Sequence, residues 1–220
     1  MRLFKSRKLL AVIAALLVIS MAVGLSACKN EKDGTAPPSS TEPTTAASMT
    51  AQDLANVIIP AVIKNDMATV LGHSFVDVDK AFEDKISDKG MDRTVVYKDL
   101  SESLGTEINS YTDFLKKQSA IQEDALKIQF GEDFKITFEI VENNVCTPEE
   151  REEKIINILA KLENGGFSSA RYFDPSKAEE FREIDFDYTI EGSKNKQSAA
   201  KIITLCKYDG KWVYGDVEMP

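Results

Sequence analysis

The chain has 220 residues, 43% of them hydrophobic, with 36 acidic side chains against 27 basic ones and a formal net charge of −9. That balance argues against nucleic acid as a partner, because such binding is driven by neutralising phosphates with Lys and Arg. His73 is the one histidine and has no H-x-x-H or H-E-x-x-H companion, which argues against a histidine metal site or a catalytic triad.

In chain order, MRLFKSRK first carries Arg2, Lys5, Arg7 and Lys8 with no acid, and the apolar run LLAVIAALLVISMAVG follows. This is the layout of a secretory signal peptide, and the run is shorter than the ~20 residues of a comfortable transmembrane span. Leu25-Ser26-Ala27-Cys28 comes next. A leucine, two small residues and a cysteine resemble the lipobox of bacterial lipoproteins. The resemblance implies that Cys28 takes a diacylglyceryl group, that residues 1–27 are cleaved, and that Cys28 heads the mature chain. Two acyl chains make anchoring durable where one does not. The alternative is an uncleaved anchor helix with an incidental cysteine. Lys29 in place of an aspartate implies, by the rules of that family, the outer membrane in a two-membrane bacterium and the outer leaflet of the cell membrane otherwise.

Residues 28–48 are rich in Ser, Thr, Pro, Ala and Gly and have no aromatic residue, so they bury too little apolar surface to offset chain entropy. They read as a lipidated tether with a mean reach of roughly 25 Å. Loss of residues 1–27 removes four basic groups and leaves 23 basic against 36 acidic, a net of −13. Direct contact of the domain with anionic lipid is disfavoured by that charge.

Residues 49–220 have the length of one domain with a sizeable core. Thr50 and Asp53 form a capping-box pattern ahead of Leu54, Val57, Ile58, Ala61 and Val62 at helical spacing. Pro60 inside that run predicts a kink or a restart, and Asn65-Asp66 a bend. Short helical pieces are expected around Val78–Ile86, Tyr97–Leu104, Ile108–Lys117 and Ile121–Gln129. Phe134, Ile136, Phe138 and Ile140 alternate with Lys135, Thr137 and Glu139 as in a half-buried strand. Thr147-Pro148-Glu149-Glu150 starts a helix with the stripe Ile155, Ile156, Leu159 and Leu162, which Gly165-Gly166 ends. Ile184, Phe186, Tyr188 and Ile190 then alternate with Glu183, Asp185, Asp187, Thr189 and Glu191, a strand with one wet face. A turn at Gly192–Asn195, the strand KIITLCKY, a tight Asp209-Gly210 turn and KWVYGDVEM close the chain. The prediction is an α+β fold with helices packed on one face of a four-stranded or larger antiparallel sheet.

AVIKNDMATVLG after the first helix and the closing LCKYDGKWVYGDVEM resemble small lipid-anchored proteins of the cystatin-like, nuclear-transport-factor-two-like superfamily. That resemblance implies a cystatin-like domain and brings no catalytic residues with it.

The acidic stretch at residues 76–92 invites a calcium reading, but counting from Asp77 places Ala81 and Phe82 at the fifth and sixth positions, where an EF-hand needs an acid and a glycine. A solvated helix face is the expectation there. Lys196, Lys201, Lys207 and Lys211 are available as cross-strand partners for the acids of 183–191. With Cys28 acylated, Cys146 and Cys206 remain as an extracytoplasmic pair. They either close a disulfide over a loop of about sixty residues, worth roughly 4 kcal/mol in the chain-entropy model, or pack as two reduced thiols.

Taken together, the sequence predicts a membrane-tethered extracytoplasmic protein with no metal and no cofactor. Its domain is expected to act as a non-enzymatic binding module, engaging an envelope protein or a small ligand through the concave face of the sheet. The alternative is a carboxylate-based envelope enzyme on that same face. A transporter substrate-binding protein is disfavoured, since those need two lobes and a longer chain.

Overall fold

The computed structural model describes residues 49–216, within a compact unit spanning Ala46–Pro220. Helix α1 (Ala51–Lys64) begins at the predicted capping box: Asp53 N–H donates to Thr50 Oγ1 at 3.1 Å and Thr50 N–H donates to Asp53 Oδ2 at 3.0 Å. It runs through Pro60 without restarting and stops at Asn65, whose φ of 56° is left-handed. Asp66 caps α2 (Met67–Gly72), and Asp77 caps α3 (Val78–Asp88). After α4 (Arg93–Leu104), the two expected helical pieces at Ile108–Lys117 and Ile121–Gln129 are one helix, α5 (Tyr111–Phe130). No glycine or proline interrupts that segment, so the ladder continues across Gln118-Ser119-Ala120.

Strand β1 (Lys135–Val145) precedes α6 (Pro148–Asn164), which opens with the Thr147–Glu150 capping box. One short turn of helix, α7 (Ser169–Tyr172), and a 3-10 turn lead to β2 (Ala178–Glu191), β3 (Lys196–Tyr208) and β4 (Lys211–Tyr214). The sheet is an antiparallel meander in the order β1-β2-β3-β4. Asp209 and Gly210, with φ of 50° and 77°, make the tight turn between β3 and β4. At the β2–β3 turn a Cβ on Gly192 would fall 2.2 Å from the Phe130 carbonyl oxygen. Only glycine lets that turn lie against the end of α5, where Lys194 N–H donates to the same oxygen at 2.9 Å.

The largest core lies on the face that carries Ile184, Phe186, Tyr188, Ile190, Ile203 and Leu205. Helix α1 fills it with Leu54, Ala55, Ile58 and Ile59, all fully buried. A second core is purely helical, with Phe82, Tyr97, Leu100, Tyr111 and Phe114 joining α3, α4 and the first half of α5. Phe82 and Tyr111 stack there with ring centroids 4.3 Å apart.

A third core corrects the expectation that helices cover one face alone. Phe181 and Cys206 are opposite one another in the register, on the face away from α1, and they pack with Ile158 and Leu162 of α6, Phe167 and Phe173. Helix α6 therefore covers one end of the far face, while α1 covers the near one.

Candidate functional site

Asp66 is the hub of a polar cleft of about 360 Å³, lined among others by Lys64, Thr69, Lys116, Ser119 and Glu123. The αL residue Asn65 reverses the chain so that Asp66 caps α2, and α5 brings Ser119 in from the other side. The Asp66 carboxylate accepts from Thr69 N–H at 3.2 Å, Thr69 Oγ1 at 2.6 Å and Ser119 Oγ at 2.8 Å. Burial raises this carboxyl, but the hydrogen bonds from Thr69 and Ser119 and the charge of Lys64 outweigh it and hold it below the ordinary carboxylate value. A carboxylate so supplied with donors is a structural clasp between helices and a poor general base. Lys64, Lys116 and Glu123 leave the cleft with mixed charge, which suits polar contact.

Nothing in the sequence joins Asp66 to Ser119, since 53 residues separate them. In the sequence Asn65-Asp66 reads only as a bend, and the Asp66-x-x-Thr69 spacing is the local signal that marks the cap.

His73 caps the end of α2, with Nδ1 lying 2.9 Å from the Thr69 carbonyl oxygen and its own carbonyl accepting from Tyr214 N–H at 2.7 Å. The acids of 76–92 do more than line a solvated face. Asp79 accepts from Thr112 N–H at 2.7 Å, Glu83 accepts from the Tyr97 hydroxyl at 3.0 Å, and Asp84 accepts from the Tyr172 hydroxyl at 2.6 Å. Arg93 pairs with Glu83 and Arg171 with Asp84, each at 2.7 Å. These acids fasten α3 to its neighbours. Among the described residues no group of three or more His, Cys, Asp or Glu side chains is arranged to hold a metal ion.

Lys85 is a group that sequence reasoning missed. Burial and the neighbouring Lys89 lower its ammonium to about 8, and its Nζ lies 4.9 Å from the Phe167 ring centroid.

Cys146 and Cys206 are both free thiols. Cys146 N–H donates to Phe181 O, and Cys206 is the register partner of Phe181 on its other side. A whole strand thus separates the two cysteines, about 10 Å at twice the strand spacing, beyond the ~7 Å that a disulfide spans. Burial pushes the Cys206 thiol up to about 12, and burial with the nearby Glu183 raises Cys146. Cys28 and the lipobox lie outside the described residues. No helix among the described residues is long and apolar enough to cross a membrane.

The acidic strand face is only partly paired. Lys196 meets Glu191 at 3.1 Å, and Lys154 of α6 pairs with Glu183. Lys207 instead meets Glu179 at 2.9 Å, while Lys201 stands opposite Phe186 on the other face, near the Tyr188 ring. Glu139 is directly opposite Asp187, and Glu142 opposite Asp185.

No protein-family model, curated protein or solved structure matches this chain.

Proposed function

We propose that this chain is a lipid-anchored extracytoplasmic protein whose domain is a non-enzymatic, protein-interaction module of the cell envelope. The anchoring half of the reading is supported by the basic start, the apolar run, Leu25-Ser26-Ala27-Cys28 and the tether that follows. The module half is carried by one observation: the apolar face of the sheet, where a ligand pocket would form, is filled by Leu54, Ala55, Ile58 and Ile59 of the protein's own first helix. Recognition then falls to outward surfaces, and those favour macromolecules over small ligands. A helix laid across an antiparallel meander also supports the cystatin-like resemblance.

The second reading, a carboxylate enzyme, is favoured by the opposed pairs Glu139–Asp187 and Glu142–Asp185. Both pairs lie on the open side of the sheet, where water screens them and little desolvation tunes one carboxyl against the other.

Mass spectrometry of the full chain recovered from bacterial membranes tests the anchor. The wild type is expected as a diacylglyceryl-modified chain starting at Cys28, and Cys28→Ser as an unacylated, unprocessed one; an unchanged mature N-terminus in the variant overturns the anchor. For the module, a photo-crosslinker placed at the exposed Ile202 is expected to give discrete protein adducts in cells that disappear with Cys28→Ser. Adducts absent from both chains count against it.

A further inference from the structure

Strand β1 is the edge of the sheet, hydrogen-bonded to β2 on one side and to no other strand among the described residues on the other. An edge of eleven residues is an open template for another chain. Three features say what fits it. First, a bulge between Ile140 and Glu142 interrupts the regular register, so the unbroken part of β1 runs from Lys135 to Ile140, with Thr137 midway between Lys135 and Glu139. Second, Ile136, Phe138 and Ile140 face the core yet remain half-exposed, unlike their fully covered neighbours Ile190, Tyr188 and Phe186 on β2. Third, Glu139 stands opposite Asp187, a like-charge pair that is unfavourable in a sheet.

We propose that this edge is a self-complementary dimer interface, in which two copies pair antiparallel about a twofold axis at Thr137 and join their sheets into one. In that register Lys135 of each copy lies opposite Glu139 of the other, twice by symmetry, and brings a cation to the like-charge pair. Ile136 lies opposite Phe138 and Phe134 opposite Ile140, so the half-exposed apolar residues cover one another on the core side. The backbone agrees. Gly192 N–H donates to Asn195 O across the β2–β3 turn, and by alternation Thr189 and Glu191 point their backbone groups at β1. Their partners Lys135 and Thr137 point inward, which leaves the N–H and C=O of Ile136 and Phe138 on the free edge, facing each other across the axis. The interface is isologous, so it closes at two copies.

The test uses the full chain in membranes. Thr137 is exposed, so Thr137→Cys spares the core, and on the axis the two thiols sit at disulfide distance. Mild oxidation is expected to give a covalent dimer of Thr137→Cys, with none from the wild type or from Val145→Cys beyond the bulge. Added to Thr137→Cys, Glu139→Lys turns both Lys–Glu pairs into like-charge pairs and is expected to lower the dimer yield roughly tenfold. Adding Lys135→Glu to that chain restores the pairs and is expected to restore the yield. Cross-linking of Thr137→Cys no faster than that of Val145→Cys overturns the proposal, and so does a yield indifferent to Glu139→Lys. In the first case the edge is left to a foreign peptide.

Discussion

The two faces of the sheet use alternate residues of the same four strands, yet one is a finished core and the other a patchwork. On the α1 side every inward position of β2 from Ile184 to Ile190 is buried in a core that α1 fills together with Val70 of α2 and Phe130 of α5. On the far side α6 covers only the end around Phe181 and Cys206, and beyond it Asp185, Asp187, Thr189 and Ile202 meet water. The difference teaches that a face covered along its length is settled chiefly by apolar volume, whereas a partial cover needs polar fastenings at its rim. Lys154–Glu183 and Arg151, whose Nε donates to the Ala178 carbonyl at 2.9 Å, provide them.

Neighbouring isoleucines give the sharpest way to break this comparison. Ile203 is 2% exposed and Ile202 is 60% exposed. Ile203→Ala is expected to cost about 2–5 kcal/mol in urea unfolding, and Ile202→Ala less than about 0.5 kcal/mol. Similar losses at both sites would mean that the far face is covered after all.

Cys206→Ser tests the third core, since a hydroxyl there replaces a fully buried thiol and is expected to cost about 1–3 kcal/mol. Titration probes the same site. The folded thiol is raised to about 12 above an unfolded value near 8.5. Its contribution is therefore complete below that lower value and is lost as pH rises from about 9 towards 12. Cys206→Ala is expected to flatten that part of the alkaline stability curve.

Asp66 fastens the near-face helix to α5. Asp66→Ala is expected to cost about 1–2 kcal/mol, the loss of a cap and its tie to Ser119. Because the carboxyl is held below its ordinary value, the stability it confers is present above an unfolded value near 3.9 and is lost as pH falls through the folded one. The wild-type and Asp66→Ala acid unfolding curves are expected to converge there.

The smallest effect belongs to the open face. Asp187→Asn removes the like charge opposite Glu139 and is expected to stabilise by a few tenths of a kcal/mol, about the low end for cross-strand pairs. The gain should shrink as salt is added.

The strand side of the near face was legible, because period-two alternation in Ile184–Ile190 states which side is buried. The α1 stripe was legible only in part, since Leu54, Ile58 and Ala61 are buried while Val57 is exposed and Ala55 and Ile59 take its place in the core. The far layer left a fainter trace. Apolar positions change parity between Phe181 and Ile184, and the run Ile203 to Cys206 is nearly continuous, as in a strand covered on both faces. Neither sign names the covering helix. The candidate cleft was legible only as a bend at Asn65-Asp66, without the cap that Asp66 makes or its partner on α5.

By itself the sequence determined the caps, the turns, the alternating strands and hence the α+β class, since each depends on residues within a turn or two of one another. Tertiary structure alone decided that α6 crosses to the far face, that two expected helices are one, that a strand stands between Cys146 and Cys206, and that Asp66 meets Ser119. Those outcomes depend on which surfaces pack together across long loops, and local periodicity carries no information about that choice.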